Sequence, residues 1–377
     1  MKRFLLYFLL LSLSVQACHS QGITLKVGVT PDTARIRIVF AGDMMGHGPQ
    51  ITAAFDDSSK TYNYLPVFDF IRQYISSADL AVANLEVTLA GPPYSGYPQF
   101  SSPDALARGL KDVGFDMLIT ANNHALDRGK HGLERTNRML DSLGIPHTGT
   151  FKDPAEKKKL NPLFIEKNKI KLAFLNYTYG TNGIEVQRPN IVNYIDTTEI
   201  RKDIQTCRNK PVDFIIVTIH WGIEYERIPN REQLRMAAFI QKCGANAIIG
   251  SHPHVVQTYE RRITGSDSIN YFPVIYSLGN FVSNQRNRYC DGGIIFELNI
   301  EKVHSTYVKS CAYLPVWVYK GTINKKTAYR LIAPYNFEKA ANALNLDSTD
   351  RSKCLEFFSD TRQHLGNLQE VKGTPNF

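Results

Sequence analysis

Polar side chains that could bind a metal ion recur directly after short apolar runs of this sequence. They supply two carboxylates, one amide and four imidazoles. The set is Asp43, Glu86, Asn123, His124, His220, His252 and His254. Neutral imidazoles and carboxylates are ligands that divalent transition metals favour. The pattern therefore predicts a metal site, although each residue taken alone also has a plain structural explanation.

The three later histidines carry much of this prediction. His252 and His254 are separated only by Pro253. In a non-helical loop, two imidazoles at this spacing can point to one side, whereas the alternative is a pair of ordinary loop histidines. His220 ends an apolar run, where a buried core histidine is an equally good explanation. We interpret all three as metal ligands because they occupy the same kind of position.

Asn122, Asn123 and His124 form a second group at the end of an apolar run. Two amides and an imidazole are poor material for a helix or a core. Asp127 follows three residues later and could orient His124 through a ring N–H, as catalytic and metal-site histidines often require. A helix-capping role is the alternative for Asp127. We predict His124 and Asp127 as the catalytic pair. Amides predicted to contact the substrate are Asn84, Asn122 and Asn280.

The two carboxylates are less distinctive. Asp43 follows Gly42 after an apolar run, where a turn-forming aspartate is the usual interpretation, and Glu86 alone would be taken for a surface acid. His47 lies four residues after Asp43, and we expect it to line the cleft rather than to bind the metal.

These residues must be positioned by strands. Short apolar, β-branched runs precede them at 36–40, 80–83, 117–120, 214–219, 247–249 and 273–277. Such runs are typical of strands that are buried on both faces. Helical stretches are expected between them, at 67–76, from Ser102-Pro103 to 113, at 131–143 and at 232–243. This alternation predicts an α/β domain, in which ligands bind beyond the carboxyl ends of the strands.

The character of the chain changes after Gly292. Residues 293–300 and 307–319 are predicted as strands without intervening helices, and a helix is predicted near 334–344. We assign them to an antiparallel edge of the sheet and a small C-terminal extension. The predicted division is a signal peptide at 1–18, a tether at 19–35, the main domain at 36–300 and the extension at 301–377.

The start of the chain predicts export. Lys2 and Arg3 precede an apolar run from Phe4 to Leu13, which is too short for a comfortable membrane span and is typical of a signal peptide. Cys18 follows Val-Gln-Ala, as in a bacterial lipobox, and is the predicted lipidation site. An ordinary signal peptide cut near Ala17 is the alternative. We expect the protein in the cell envelope, anchored to a membrane by lipid and outside the cytoplasm.

Composition limits the classes of partner. The chain has 377 residues, 43% hydrophobic and 21% charged, with a formal net charge of +9. The basic residues are scattered, so we expect no nucleic-acid partner, and the charge suits an anionic substrate or surface better. Five cysteines remain after Cys18, none at C-x-x-C spacing, which argues against a thiolate zinc site or a thioredoxin-like role and leaves a disulfide open.

Six motifs, in this order, resemble the CapA family of bacterial capsule and poly-γ-glutamate synthesis proteins. They are Gly42-Asp43-Met44-Met45-Gly46, Asn84-Leu85-Glu86, the run from Ala121 to Gly129, His220-Trp221-Gly222, Gly250-Ser251-His252-Pro253-His254 and Ser277-Leu278-Gly279-Asn280-Phe281. The resemblance covers about residues 36 to 298. It implies a metallo-dependent phosphatase-like fold: a four-layer α-β-β-α sandwich of two mixed sheets.

The resemblance also implies roles for single residues. In the wider calcineurin-like fold, two metals share a bridging carboxylate, and Glu86 stands at that position. Asp43 matches the first-strand aspartate, Asn123 the metal-bound amide and His124 the neighbouring general acid. The three later histidines match imidazole ligands. Met45 departs from the usual Asp-x-His of the first strand, so either one ion or two is implied.

The leading hypothesis is an envelope enzyme in capsule or poly-γ-glutamate-type polymer assembly, with Mn, Zn or Fe as its cofactor. It would hydrolyse an amide or phosphoester of an anionic polymer or peptide, with a membrane-bound synthase as a possible partner. One alternative is a non-catalytic envelope component that binds polymer or synthase, and another is a generic metallophosphoesterase.

Overall fold

Two β-sheets with helices on their outer faces form the framework of the protein. The computed structural model describes residues 33–264 and 270–373. The predicted signal peptide, its Cys18 and most of the predicted tether lie outside the described residues.

The strands in chain order are β1 (Ala34–Met44), β2 (Phe55–Asp56), β3 (Thr61–Tyr62), β4 (Leu80–Leu85), β5 (Met117–Ile119), β6 (His147–Thr148), β7 (Thr150–Phe151), β8 (Leu163–Lys167), β9 (Ile170–Thr178), β10 (Ile191–Val192), β11 (Phe214–His220), β12 (Ala247–Ser251), β13 (Tyr259–Ile263), β14 (Tyr271–Ile275), β15 (Asn280–Val282), β16 (Gly292–Lys302), β17 (Thr306–Ile323), β18 (Lys326–Ile332) and β19 (Gln369–Glu370). The α-helices are α1 (Gly48–Ala54), α2 (Arg72–Ser76), α3 (Ala105–Val113), α4 (Gly129–Ser142), α5 (Pro154–Leu160), α6 (Thr197–Arg208), α7 (Arg231–Cys243), α8 (Phe337–Ala343) and α9 (Ser348–Leu365).

Both large sheets are mixed. Sheet I has the order β18-β17-β16-β1-β4-β5-β6, in which β1, β4, β5 and β6 are parallel and β16 to β18 are antiparallel. Sheet II has the order β13-β14-β12-β11-β9-β8, with parallel pairing at its centre and an antiparallel strand at each edge. The carboxyl ends of the parallel strands therefore all lie on the same side of each sheet, at the ends of the strands.

The side-chain alternation of the strands explains the layers. On β1, Ile38 and Phe40 belong to an apolar core shared with Leu172 and Phe174 of sheet II. The intervening residue Val39 instead packs with residues of α2 and α3 on the other face of sheet I. Helices α6 and α7 cover the outer face of sheet II in the same way. The predicted four-layer α-β-β-α sandwich is confirmed.

The C-terminal helices pack on the antiparallel end of sheet I. Trp317 and Ile332 are buried against Phe337 of α8 and Phe357 of α9. This agrees with the predicted antiparallel edge and extension. Strand β16 runs through position 300, and the domain division placed there stays a prediction.

The structure corrects several predicted elements. The helix predicted at 67–76 is a 3₁₀ turn, Leu65–Phe68, followed by the short α2. The helix predicted from Ser102-Pro103 begins at Ala105, and Asp104 rather than Ser102 takes the N-cap position. Strand β9 and helix α9 were not predicted individually. The sequence does carry a signal for α9, since Asp347 caps it and its buried residues recur at helical spacing.

Two further features concern membrane-spanning helices and the pairing of cysteines. Among the described residues, no helix combines the length and apolar character that a membrane span requires. The five cysteines after Cys18 are all free thiols, and four of them are buried. The disulfide that the sequence left open is therefore not formed in the structure.

Replacing Phe174 by alanine is expected to lower the free energy of unfolding by about 3–5 kcal/mol, because its ring is fully buried between the two sheets. Phe164 of the edge strand β8 is the matched control. It is 37% exposed and lies 4.3 Å from the Lys210 ammonium. Its replacement by alanine should lower the free energy of unfolding by only about 1 kcal/mol. Urea unfolding measures both, and equal losses would contradict the inter-sheet position of Phe174.

Candidate metal centre

The pairing of the strands brings the predicted ligands together. Asp43 of β1 lies beside Asn84 of β4 in the parallel ladder and beside Asn280 of β15 on its other side. In sheet II, His220 of β11 lies beside Ser251 of β12. The polar residues thus lie at the carboxyl ends of buried strands in both sheets, and these strand ends face one another.

Two glycines allow the strands to approach at this edge. A Cβ atom on Gly42 would lie 2.0 Å from the Gly279 carbonyl oxygen, and one on Gly250 would lie 2.0 Å from the Tyr276 carbonyl oxygen. Neither position can hold a side chain without moving the backbone. Gly42 directly precedes Asp43, and Gly250 comes two residues before His252, so the close contacts fix the segments that carry ligands.

One group of candidate ligands consists of Asp43, Glu86 and His254. His254 Nδ1 lies 3.1 Å from Asp43 Oδ2, and His254 Nε2 lies 3.9 Å from Glu86 Oε1. Asn84 donates a hydrogen bond of 2.8 Å from Nδ2 to Asp43 Oδ1, which holds that carboxylate in place. All three candidate ligands are at most 2% exposed.

A second group consists of Glu86, His220 and His252. His220 Nε2 lies 2.9 Å from Asn123 Oδ1 and 3.5 Å from Glu86 Oε1, so the Asn123 amide points at the same place. The other nitrogen of the His220 ring lies 3.0 Å from Ser251 Oγ. Such a second contact commonly orients a metal-binding imidazole. The ring centroids of His220 and His252 are 4.7 Å apart.

The two groups overlap at Glu86, and within each group the candidate ligand atoms all lie within 4.8 Å of one another. Glu86 Oε1 and His252 Nδ1 are buried and have no hydrogen-bond partner. Unpaired buried polar atoms are costly, and a cation would satisfy them. The donor set of carboxylates, imidazoles and an amide therefore fits one or two divalent ions.

The backbone at the paired histidines is strained. His252 has φ 102° and His254 has φ 58°, both in the left-handed region that side chains with a Cβ rarely adopt. Such strain persists only where the surroundings impose it and is common at functional sites. Here it lets two imidazoles two residues apart face neighbouring ligand groups.

Burial sets the protonation of the centre in the absence of a cation. It raises the pKa of Glu86 well above its usual range, and the negative charge of Asp43 adds to the effect. Burial also lowers the pKa of His220 well below its usual range and that of His252 to about 3, with nearby imidazoles as the next cause. The His220 and His252 imidazoles are thus neutral, with lone pairs available to a metal, and a bound cation would favour the ionised form of Glu86.

His124 and Asp127 form a pair beside this centre. His124 Nδ1 lies 2.7 Å from Asp127 Oδ2, and both residues are 4% exposed. The Phe100 amide donates to the same carboxylate oxygen at 2.7 Å, and the Phe100 ring packs 4.6 Å from the His124 ring. Asp127 does not cap α4, since Arg128 holds the N-cap position. The geometry matches the predicted orienting contact.

The other predicted site residues have different surroundings. Asn122 and Asn280 are fully buried, and their Nδ2 atoms donate to Leu85 O and Cys290 O, each at 2.8 Å. Together with Asn84, they make contacts that position the strand ends, and their substrate role stays a prediction. His47 lies at the edge of the centre, where burial lowers its pKa to about 4. It belongs to neither ligand group.

Several neighbours of the centre were not singled out from the sequence. Ser251 contacts His220, Asn182 accepts a hydrogen bond of 3.2 Å from Asn123, and the Tyr179 ring lies 4.5 Å from the His252 ring. Ser251 could have been found, because it lies within the Gly-Ser-His motif. Nothing in the local pattern marks Asn182 or Tyr179, which reach the site from the loop after β9.

A family model supports the resemblance found in the sequence. The model described as bacterial capsule synthesis protein PGA_cap matches residues 37–285. This range includes all residues of both ligand groups and the pair formed by His124 and Asp127.

Curated relatives agree with the family model. The capsule biosynthesis protein CapA of Bacillus anthracis is 25% identical over 230 residues, which cover 58% of this chain and 54% of the relative. The PGA biosynthesis protein CapA of Bacillus subtilis (strain 168) is 28% identical over 260 residues, which cover 65% of each protein. The matched parts thus span between about half and two thirds of these relatives.

Solved structures similar to this chain include two nucleotidases. The NAD nucleotidase NadN of Haemophilus influenzae has a TM-score of 0.49 at 11% identity and covers 90% of this chain and 64% of its own. The 5'-nucleotidase of Candida albicans SC5314 has a TM-score of 0.43 at 12% identity, with coverages of 87% and 58%. The family assignment follows from the family model, which matches well over half of the sequence: this chain belongs to the bacterial capsule synthesis protein family PGA_cap.

Proposed function

We propose that this protein is a metal-dependent hydrolase of the cell envelope that acts on an anionic polymer or peptide during capsule or poly-γ-glutamate-type polymer biosynthesis. The observation that carries the proposal is the pair of ligand groups that share Glu86, with His124 and Asp127 beside them. Ligands and an oriented imidazole in one buried place are what hydrolysis of an amide or phosphoester requires.

The proposed chemistry divides between cofactor and chain. A divalent ion held by the two groups, such as Mn, Zn or Fe, would act as a Lewis acid and lower the pKa of bound water towards about 7. The chain itself supplies His124, whose Nδ1 is held by Asp127. This contact leaves Nε2 to give a proton to the leaving group or to remove one from the nucleophile. Asp127 acts as the positioning residue.

The class of substrate is proposed from charge and from the relatives. A net charge of +9 favours binding of anions, and the two relatives are named for capsule and PGA biosynthesis. A membrane-bound synthase is the proposed partner. The lipobox at Cys18 supports anchoring to a membrane by lipid, outside the cytoplasm.

A non-catalytic component that binds polymer or synthase is the second candidate, and Met45 favours it. This residue stands where the resemblance expects a histidine ligand. Its side chain is buried in the apolar core between sheet I and the helices, and its amide donates to Val282 O at 2.7 Å. Met45 therefore supplies no ligand. The metal position beside the first strand has fewer ligand atoms than the resemblance to the wider calcineurin-like fold implies.

Glu86→Gln is expected to reduce the metal content at both positions, because Glu86 belongs to both ligand groups. His252→Ala should weaken metal binding only at the ligand group that contains His220. Elemental analysis of the dialysed protein measures metal per chain. His304→Ala is the control, since His304 is exposed in the turn between β16 and β17. A Glu86→Gln protein that holds as much metal as wild type would overturn the proposed centre.

His124→Ala is expected to lower kcat by a factor of about 10²–10⁴, because it removes the proton-transfer group while keeping the metal ligands. Asp127→Asn should also lower kcat, since it weakens the contact that orients the ring. Turnover of γ-glutamyl oligomers and of a panel of phosphate esters is measured with added Mn²⁺, and metal content is checked alongside.

The same set of substrates distinguishes the candidate functions. Turnover that survives His124→Ala would contradict the role of His124. A wild-type protein that holds metal but turns over no amide or phosphate ester would favour the binding component instead. Activity on generic phosphate esters alone would favour a plain metallophosphoesterase.

Cys18→Ser is expected to move the protein from the membrane fraction to the soluble fraction of bacteria that express the full chain, because the acylated thiol is lost. Cys243→Ser is the matched control, since it removes a free thiol of the body. Fractionation followed by immunoblotting measures the distribution. Equal membrane association of the wild-type and Cys18→Ser proteins would rule out lipid anchoring at this residue.

A further inference from the structure

A second feature of the structure lies beside the catalytic pair, at the start of α4. A cavity of about 390 Å³ is lined there by Gly91, Ser101, Asp127, Arg128 and His131, among others. Asp127 is the residue that holds His124. The cavity therefore adjoins the carboxylate that orients His124, although His124 and the two ligand groups do not line it. Its volume is within the range of small-molecule subsites.

Arg128 lines this cavity without forming an ion pair, although its positive charge lies near enough to Asp127 to favour the ionised form of that carboxyl. Its Nη2 donates a hydrogen bond of 2.6 Å to Ser95 Oγ, a neutral hydroxyl. Within residues 33–264 and 270–373, no carboxylate forms an ion pair with it. An arginine carries five N–H donors in a planar fork that matches carboxylate and phosphate oxygens. The contact to Ser95 orients the fork and leaves most of its donors unused.

Neighbouring arginines on the same helix differ in this respect. Arg135 donates to both oxygens of Asp104, at 2.7 and 2.9 Å. Arg138 lies 3.8 Å from Glu134 and is largely exposed. The lack of an acidic partner is thus particular to Arg128 among these three and coincides with its place in the cavity wall. The same end of α4 also presents the positive pole of the helix dipole.

We infer that Arg128 and the cavity it lines form a subsite for an oxyanion group of the substrate, a carboxylate or a phosphate, next to the His124–Asp127 pair. The inference deepens the proposed function, since it names the group that the substrate carries beside the reacting bond. Arg128 acts as a specificity-determining residue. His131 lines the same cavity, with Nε2 3.2 Å from the Ala90 carbonyl oxygen.

The test is a calorimetric titration of the full chain with three probes: glutarate, its neutral analogue glutaramide, and inorganic phosphate. Both anions also bind metals, so the titration is made on the protein as purified and after chelator treatment. Wild type should bind at least one anion without metal and should prefer glutarate or phosphate to glutaramide. The ratio of the two anion affinities tells which oxyanion the subsite favours.

Arg128→Gln is expected to weaken binding of the preferred anion by about tenfold or more, because a charge-assisted contact is lost. Arg128→Lys keeps the charge and should lose less. Arg138→Gln removes the same charge from the same helix and should leave the affinity within about twofold of wild type, as expected for an exposed pair. Thermal unfolding verifies that each variant is folded.

Three results would overturn the inference: no anion binding by chelated wild type, equal affinities of wild type and Arg128→Gln, or equal losses in Arg128→Gln and Arg138→Gln. None of them depends on turnover. If wild type holds no metal, the proposed hydrolase fails while the titration still decides the anion subsite.

Discussion

The structure depends on the burial of two carboxylates that have no lysine or arginine partner among the described residues. Asp43 and Glu86 are both 0% exposed, and no lysine or arginine among the described residues forms an ion pair with either. Burying charge in this way costs several kcal/mol per ion unless a counter-charge compensates. The surrounding groups are imidazoles and amides, which can complete a coordination sphere. A bound cation would supply the positive charge that compensates these carboxylates.

The rest of the fold provides this pocket. Parallel strands end at one edge of each sheet, and the polar residues follow those ends. The acids and Asn123 come from the strand ends of sheet I, whereas His220, His252 and His254 come from those of sheet II. Neither sheet alone holds a complete ligand group. The close backbone contacts at Gly42 and the strained φ of His252 are local adjustments to this meeting of two edges.

Much of this could be predicted from the sequence, because its signals are local. Strands such as β4 and β11 are buried along their whole length and begin as apolar runs, and the polar residues at their carboxyl ends are conspicuous. The break between Leu65–Phe68 and α2 was missed, since apolar periodicity continues across it. Asn182 and Tyr179 could not be found, because they reach the centre only through the path of a loop. Arg128 was not singled out from the sequence, because its hydrogen bond to Ser95 in place of an ion pair is a property of the folded chain.

Because the ligands are divided between two sheets, the distance between the acids and the imidazoles depends on how the side chains between the sheets pack. The layer of Phe40, Phe174 and their neighbours fills the space between the sheets. Protein interiors are close-packed and transmit changes of volume. The side chains of this layer therefore act as a spacer that sets how far the acids stand from the imidazoles. Ion size selectivity depends on such distances. Substitutions in this apolar layer would therefore change the spacing of the ligand groups, and with it the size of ion that fits, while every ligand is kept.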